Sequence, residues 1–264
     1  MRTIYIYIGD FRIQIKFKKS SGLMFLQEKM IREITMLWRG YVYYQRPKRI
    51  DYVVEFQLIP HMKFFVHEHT ATRFIGLYEQ VNDNKIIVSY TISTSQFHFI
   101  LRKILLYLLK DKGFIFHGAA VANNNDAFLF IGKSGSGKTT ISSLLAPNFR
   151  SLNDDYTFIQ KSGGTYCYYQ TPLWERNGWY QKDNKQYKLK KIFFLKKASS
   201  CKIEKITDKE FLFKYLVSNL IEEEQYFKNK SKLVFKFVEY FDEFYMLSFT
   251  KDRQITTKFF TTLV

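Results

Sequence analysis

The stretch at residues 127–140 constrains this chain more than any other. An apolar run, Ala127 to Ile131, leads directly into Gly132-x-x-x-x-Gly137-Lys138-Thr139. In such a loop glycines let backbone N–H groups turn toward an anion, the lysine faces the β- and γ-phosphates, and the hydroxyl reaches Mg²⁺. The strand before it and the helix after it, ended by Pro147, are the context that a phosphate-binding loop requires.

This pattern predicts a nucleotide-binding loop, and a merely structural glycine turn is the alternative. The residues predicted to bind the nucleotide are Gly132, Lys133, Ser134, Gly135, Ser136, Gly137, Lys138, Thr139 and Thr140.

Length and net charge limit the number of domains and the kinds of partner that this chain can have. The 264 residues are 46% hydrophobic, which is enough to bury a core in one large domain or two small ones. The net charge of +17 suits an anionic partner, whether nucleotide, nucleic acid, acidic peptide or membrane surface. The lysines are scattered through every segment, so a solvated lysine-rich surface is the favoured interpretation.

Cysteine usage and hydropathy predict a cytoplasmic protein. Cys167 and Cys201 are the only cysteines and form no C-x-x-C pair, which argues against a disulfide framework or a zinc site. The N-terminus alternates apolar and polar residues and lacks a signal-peptide core. No apolar run approaches the length of a membrane span.

Residues 1–93 are predicted to form a mainly β accessory domain, a candidate for binding an acceptor. Residues 3–8 and 11–17 alternate apolar and polar positions around Gly9-Asp10, which predicts a hairpin. Further strands are expected at 50–58, 72–78 and 85–92, and residues 23–38 are left as helix or irregular structure.

Residues 94–264 are predicted to form the nucleotide-binding domain, with a mixed sheet flanked by helices. The fold class is α/β (α+β). A helix is expected from Ser93-Thr94-Ser95 to about Lys110, followed by a long loop at 171–187 among later elements. Strands are predicted at 114–121, 127–131, 149–153, 156–161, 165–170, 191–196 and 244–249, and helices at 139–145, 208–225, 231–242 and 253–263.

Asn153-Asp154-Asp155 follows a short predicted strand, about fifteen residues after the loop. One carboxylate there can hold Mg²⁺ and a second can take the proton of an attacking hydroxyl. On these residues alone, an exposed Asp-Asp turn is the favoured alternative.

Three pieces together resemble the HPr kinase/phosphorylase-related family, which has a phosphoenolpyruvate-carboxykinase-like fold. They are FHGAAVA at 116–122, GKSGSGKT at 132–139 and SLNDDY at 151–156. Residues 170–175, 187–195 and 247–252 also resemble smaller members of that group, including the kinases found beside ribosomal peptide precursors. The resemblance covers residues 114 to about 255.

The resemblance implies a role for each matching residue. Lys138 would bind the β- and γ-phosphates, Thr139 and Asp154 would hold the metal, and Asp155 would be the general base. His117 would lie near the transferred phosphate, with a core histidine as the alternative. Glu175 would reach the metal or the acceptor, with a surface ion pair to Arg176 as the alternative.

The chain also departs from the family. The Glu-x-Arg-Gly segment of its bifunctional members is missing, so removal of the phosphoryl group is not implied, and Gln170 stands where Gly is expected. Arg176, Arg253 and Lys133 are candidates for stabilising transition-state charge. Trp174, Trp179 and Tyr180 suggest either a lid over the site or an apolar flap.

The sequence therefore predicts an Mg²⁺-dependent, ATP-using kinase that phosphorylates a Ser or Thr hydroxyl of a peptide or small protein. GTP as donor, a small-molecule acceptor and a homo-oligomer all remain open. A nucleotide-dependent ATPase or switch is the first rival. A nucleic-acid-binding module is the least favoured, since it leaves the phosphate loop unexplained.

Overall fold

The chain folds as two compact units, Met1–Ile104 and Leu105–Val264. The computed structural model describes residues 2–19, 22, 24–58, 63–66, 73–76, 78–173 and 182–264, with the backbone alone at 63–66 and 73–76. None of the helices in these ranges is both long and apolar enough to cross a bilayer. The predicted boundary between residues 93 and 94, and the role of the segment before it, stay predictions.

The first unit is built on a mixed β-sheet. Its strands are β1 (Arg2–Ile8), β2 (Phe11–Phe17), β3 (Val42–Tyr43), β4 (Tyr52–Gln57), β5 (Lys63–Val66), β6 (Arg73–Gly76), β7 (Tyr78–Asn82) and β8 (Lys85–Ser89). The main sheet has the order β3-β1-β2-β4-β8-β7, and β5 pairs with β6 separately. The predicted β1–β2 hairpin is confirmed, with Ile8 opposite Phe11 across a two-residue turn.

Two helices belong to the described part of this unit, the second of them only as far as Ile104, because residues 105–109 of that helix fall in the second unit. Helix α1 (Met24–Leu37) occupies the stretch that the sequence left undecided, and α2 (Thr94–Leu109) confirms the predicted helix. Trp38 follows α1 and stacks on Phe97 of α2, with ring centroids 5.1 Å apart. The strand predicted at 72–78 is instead two strands, because β6 pairs with β5 and β7 pairs with β8.

The second unit contains the phosphate-loop motif. Its strands are β9 (Gly113–Asn123), β10 (Asp126–Ile131), β11 (Arg150–Asn153), β12 (Tyr156–Ser162), β13 (Thr165–Tyr169), β14 (Gln186–Lys197), β15 (Lys202–Lys205) and β16 (Phe244–Phe249). Its further helices are α3 (Lys138–Leu145), α4 (Lys209–Ser218), α5 (Glu224–Tyr240) and α6 (Arg253–Thr261).

Strand pairing in this unit is mixed, which confirms the predicted fold class. The sheet has the order β10-β9-β12-β13-β14-β16-β15, with β11 paired to β9. Strand β14 also pairs with β10, so five strands close into a ring. Strands β10, β14 and β16 run parallel to one another, so their carboxyl ends meet at one edge. The phosphate-loop motif follows β10 at that edge.

Helices pack on both faces of this sheet, because strands such as β10 bury apolar side chains on each face. Phe128 and Phe130 of β10 pack with α3 and α6, and Leu129 and Ile131 belong to the core that includes α4 and α5. Alternate residues of a strand point to opposite faces, so an apolar run such as 127–131 requires cover on both.

Three predicted segments in this unit have wrong boundaries, and for two of them the reason is tertiary. The helix predicted at 231–242 is α5, which begins seven residues earlier at Glu224. Helix α4 ends at Ser218 rather than 225, because the next residues pair with β9, where Ile221 donates its backbone N–H to Ile115 O at 2.8 Å. Strand β14 begins at Gln186, five residues before the predicted start. Its first half alternates buried Tyr187 and Leu189 with exposed polar residues, and the sequence analysis assigned residues up to 187 to a loop.

A buried ion pair fixes α5 against the start of β9. Lys230 is 0% exposed, and its Nζ donates hydrogen bonds to Leu109 O and Gly113 O, both at 2.6 Å. The Glu222 carboxylate lies 3.6 Å from the same ammonium. Burial lowers the pKa of Lys230 to about 8 despite Glu222, and burial raises the pKa of Glu222.

We expect Lys230→Met to destabilise the second unit by about 3–5 kcal/mol, because it leaves the Glu222 charge buried without its partner. The double variant Glu222→Gln/Lys230→Met should recover much of that loss. Urea unfolding of the two single variants and the double variant measures the coupling energy.

The free energy of unfolding should also depend on pH through Lys230. The folded pKa of Lys230 lies below its unfolded value of 10.5, so the unfolded state binds more protons between about pH 8 and that value. The stability contributed by this group therefore rises with pH over that range, and Lys230→Met should lack the rise. Equal losses in the single and double variants would contradict a coupled pair.

Candidate active site

The phosphate-loop motif turns tightly between β10 and α3. Gly137 precedes the first residue of α3 with φ of 103°, a left-handed conformation that side chains with a Cβ rarely adopt. A Cβ at this position would also lie 2.7 Å from Cζ of Phe249. The geometry requires glycine here, and the positive N-terminal end of α3 follows directly at Lys138.

The side chain of Lys138 folds back over the loop. Its Nζ donates hydrogen bonds to Gly132 O at 2.6 Å and Lys133 O at 3.1 Å, and the residue is 6% exposed. Burial lowers the pKa of Lys138, and the charge of Asp155 opposes that shift. A cation is therefore held at the centre of the loop, within electrostatic reach of a carboxylate.

Asp154 and Asp155 form the turn between β11 and β12, two strands that pair successively with β9. The β11–β9 register shifts between Ser151 and Asn153, a bulge of the kind that redirects side chains. Gly118 of β9 donates its N–H to Asp155 O at 3.2 Å. On the β10 side, a Cβ on Gly118 would lie only 3.0 Å from Phe130 O, so glycine lets β10 and β9 approach each other closely at this residue.

Asn153, the residue directly before the carboxylate turn, fixes the position of that turn through its side-chain amide. Its sequence context gave it no predicted role. It is 1% exposed, its Nδ2 donates to Gly118 O at 3.0 Å, and its Oδ1 accepts from the Tyr168 hydroxyl at 3.0 Å. A buried amide that satisfies two partners from different strands fixes the turn's position. The only sequence signal was its place directly before the two aspartates.

Gln170 also stabilises β11, the strand that ends at Asn153, through a hydrogen bond to its backbone. Its Nε2 donates to Leu152 O at 2.6 Å, and its Oε1 accepts the backbone N–H of Asp183 at 3.1 Å. The residue that departs from the resembled family's glycine is therefore buried and bonded to β11, the strand that ends directly before Asp154.

His117 lies beside Asp155 rather than in the core. Its Nε2 is 3.9 Å from Asp155 Oδ1, and its side chain is 44% exposed. Its backbone N–H donates to Asn219 O at 2.8 Å. The alternative of a buried core histidine is wrong, because alternation along β9 turns Phe116 inward and His117 toward the carboxylate turn.

These residues line one cavity of about 440 Å³. It brings together residues from the loop, the start of α3, β9, the carboxylate turn and the end of β14. The lining consists of His117, Ser134, Gly135, Gly137, Lys138, Thr139, Thr140, Asp154, Asp155 and Lys197. Its size falls within the range of small-molecule sites, about 300–1,000 Å³.

Lys197 is the cavity residue that the sequence analysis missed. Ile131 pairs with Phe194 in the parallel β10–β14 register, so β14 continues three residues past the end of β10. At about 3.3 Å per residue this carries Lys197 roughly 10 Å beyond Ile131, over the loop. Its Cε would lie 3.5 Å from a Cβ at Gly137. No local motif marks this lysine, because its position depends on strand register.

Other predicted residues do not line this cavity. Gly132, Lys133 and Ser136 belong to the loop but are not among the lining residues. Arg253 lies at the start of α6 and lines a different cavity with Pro147 and Asn148. Glu175, Trp174, Arg176, Trp179 and Tyr180 fall outside the residues that the structure describes.

A second cavity of about 370 Å³ adjoins the first and shares Thr140 and Lys197 with it. Ala198, Phe249 and Lys251 form the rest of its lining, and most of its surface is apolar. Together the two cavities extend from Asp155, past the start of α3, to the carboxyl ends of β14 and β16.

The residues present fit a phosphate-bound Mg²⁺. Within the described ranges, no group of three or more His, Cys, Asp or Glu side chains is positioned to hold a metal ion by itself. Mg²⁺ in phosphoryl-transfer sites is commonly bound by one or two protein oxygens together with phosphates and water. Thr139 and Asp154 supply such oxygens in the same cavity.

Residues 81–232 match the family model described as SynChlorMet cassette protein ScmC, which is more than half of the chain. The chain belongs to the ScmC family. The ScmC match begins in β7, ends in α5, and includes every residue that lines the 440 Å³ cavity, whereas Phe249 and Lys251 of the adjoining cavity lie beyond it.

Among solved structures, this ScmC-family chain is similar to the HPr(Ser) kinase/phosphatase from Coxiella burnetii. The identity is 14% and the TM-score 0.26, over 35% of this chain and 72% of that chain. A likeness of this size carries no argument about function. No curated protein sequence matches the chain.

We expect Asn153→Ala to destabilise the protein by about 2–3 kcal/mol, because it removes both hydrogen bonds of a buried amide. Tyr168→Phe removes only one of the two and should cost about 1 kcal/mol. Thermal unfolding of both variants measures the difference. An unfolding temperature for Asn153→Ala equal to that of Tyr168→Phe would contradict an anchor at Gly118.

Proposed function

We propose that this protein is an Mg²⁺-dependent kinase that transfers the γ-phosphoryl group of ATP to a Ser or Thr hydroxyl of a peptide or small protein. The observation that carries the proposal is the single cavity that joins Lys138 and Thr139 of the loop to Asp155 of the carboxylate turn. Phosphoryl transfer requires positioned phosphates, positive charge, a metal site and a base, and these residue types supply each.

The two adjoining cavities suggest how the donor lies. The phosphates would run along the start of α3, with the γ-phosphoryl group toward Asp155 and His117. The nucleoside would extend past Thr140 into the cavity above Phe249, whose surface is mainly apolar. This arrangement places the two ends of the nucleotide at opposite ends of the lining, and it suits GTP as well as ATP.

Thr139 and Asp154 would hold Mg²⁺ on the phosphates. When bound, the metal neutralises charge on the β- and γ-phosphoryl oxygens. Asp154 is 3% exposed, so its carboxylate is positioned by its surroundings rather than by solvent. Glu175, the third metal ligand that the resemblance implies, stays a prediction.

Asp155 would act as the general base. Its carboxylate accepts the proton of the acceptor hydroxyl while the hydroxyl oxygen bonds to the γ-phosphorus. The bond from that phosphorus to the β–γ bridging oxygen breaks, and ADP leaves with the bonding electrons. His117, 3.9 Å from Asp155, would orient the carboxylate or contact the transferred group.

Lys197 would stabilise the charge that develops on the transferred group. Arg253 is remote in the lining of another cavity, whereas Lys197 borders both parts of the donor site. A lysine is a compact point charge with a flexible stem, which suits a cation that follows phosphate oxygens as they move. The proposed charge-stabilising group is therefore Lys197, whereas the sequence-based candidates were Arg176, Arg253 and Lys133.

A peptide acceptor is favoured by the resemblance of residues 170–175, 187–195 and 247–252 to kinases found beside ribosomal peptide precursors. The family description places ScmC in a cassette, so the other products of that cassette are the first acceptors to test. A small-molecule hydroxyl would use the same donor site and the same base. Hydrolysis of ATP without an acceptor is the outcome expected of the ATPase alternative.

We expect Lys138→Ala to abolish nucleotide binding and Asp155→Asn to retain it within about threefold while turnover falls by roughly 10²–10⁴. The lysine contacts the donor, whereas the aspartate acts on the acceptor proton. Binding of a fluorescent ATP analogue and transfer of labelled γ-phosphate to cassette peptides measure the two effects separately. Unchanged transfer by Asp155→Asn would show that another group is the base.

We expect Lys197→Ala to lower the rate of transfer by roughly 10²–10³, the size of losing one preorganised charge-stabilising group. Lys196→Ala is the matched control, because neighbouring residues of β14 point to opposite faces and Lys196 interacts with Glu204. Single-turnover rates at saturating nucleotide measure both. A loss of equal size in the two variants would exclude a specific role for Lys197.

A further inference from the structure

A basic cavity of about 270 Å³ lies in the second unit, between the start of β9, the β12–β13 hairpin and α5. The name "basic cavity" refers to this site, whose main side chains are Lys112, Phe114, Lys161, Tyr166, Lys236 and Tyr240. It shares no lining residue with the two cavities of the proposed donor site.

Three lysines and one aspartate, Asp111, give the basic cavity a positive lining. Lys161 donates its backbone N–H to Lys112 O at 3.2 Å, so the main chains of these two residues are adjacent, and both residues line the cavity. Neither Lys161 nor Lys236 forms an ion pair with any residue that the structure describes. Neighbouring like charges repel, and an anionic ligand would relieve that repulsion.

Two tyrosine rings hold the cation of Lys161 in place. Its Nζ lies 5.8 Å from the ring centroid of Tyr166 and 5.5 Å from that of Tyr240. Contacts of this kind orient an ammonium group at the mouth of a site before a ligand binds. They also occupy one face of each ring, a surface on which a nucleobase could otherwise stack.

The floor of the basic cavity is apolar and fixed. Phe114 is 2% exposed, and Leu233 of α5 packs against the same core. Behind them, the buried ammonium of Lys230 bonds to Leu109 O and Gly113 O, which ties α5 to the turn that carries Lys112. A rigid apolar floor under positioned cations fits a ligand with an apolar part next to a negative charge.

We propose that the basic cavity is a docking site for an acidic peptide segment, in which a carboxylate meets Lys161 and Lys236 and a neighbouring apolar side chain rests on Phe114. Its volume lies below the usual range of about 300–1,000 Å³ for small-molecule sites and suits one or two side chains. Because the cavity is small and Lys161 covers one face of each tyrosine ring, a peptide carboxylate fits better than a nucleic acid.

Docking here does not depend on the proposed function, although a role in acceptor recognition would rest on it. Strand β9 leads from Gly113 at the basic cavity to His117 at the candidate active site, four residues or about 13 Å along the strand. A peptide bound in the basic cavity would therefore lie a few residues' length from the proposed point of transfer.

The test uses a fluorescein-labelled hexapeptide of alternating glutamate and leucine, with the full-length protein, about 50 mM salt and no nucleotide. Fluorescence anisotropy should show saturable binding, weakened about tenfold or more by Lys161→Gln together with Lys236→Gln. The matched control is Lys228→Gln with Lys258→Gln, which removes the same charge from exposed positions and should leave affinity within twofold.

Four results would overturn the proposal, provided that thermal unfolding shows both double variants to be folded. They are no saturable binding of the acidic hexapeptide, equal binding of a version with glutamine for glutamate, and equal weakening by the control variant. The fourth is tighter binding of a ten-nucleotide oligouridine that is lost in Lys161→Gln/Lys236→Gln, which would assign the site to nucleic acid.

Discussion

The hydrogen bonds around Gly118 of β9 are the constraint on which the candidate active site depends. Gly118 pairs with Ile131 at the last residue before the phosphate loop, and it also donates to Asp155 O and accepts from Asn153. The loop and the carboxylate turn are thus bonded to the same residue from opposite edges of one strand. A displacement of β9 would move the phosphate-loop motif and the carboxylate turn together, which preserves their relative geometry. This gives Asn153, which does not line the cavity, an importance comparable to that of the residues that do.

Around this backbone frame, charge is arranged by burial. Lys138 is desolvated over the loop and Asp155 partly restores its charged form, while Lys197 stands at the other side of the opening. A buried cation interacts strongly with phosphate because little water screens it. The proposed kinase activity uses these groups in series along one line, with the nucleoside at the Phe249 end and the acceptor at the Asp155 end. The basic cavity adds a second positive site in the same unit, on residues that the donor does not need.

Sequence reasoning reached the local elements of the site and missed the long-range ones. The phosphate-loop motif and the adjacent aspartates are runs of neighbouring residues, so their spacing was visible directly. His117 was uncertain from sequence, since a lone histidine on an apolar strand is more often buried. Lys197 and Asn153 had no motif at all, because one is placed by the register of parallel strands and the other by hydrogen bonds between distant strands. Helix α4 was predicted too long for the same kind of reason, since pairing with β9 competes with the helix after Ser218.

The sequence by itself determined the mixed α/β class, the strand–loop–helix unit at 127–145 and the position of Asp154-Asp155 at the end of a strand. These follow from side-chain periodicity and from the backbone freedom of glycine, which act over a few residues. Only the tertiary structure decided that Lys197 lies over the loop, that His117 faces Asp155, and that Lys112, Lys161 and Lys236 converge on one cavity. Those positions depend on which strands pair and in what register, and that choice is made by the burial of whole sheet faces rather than by any local run of residues.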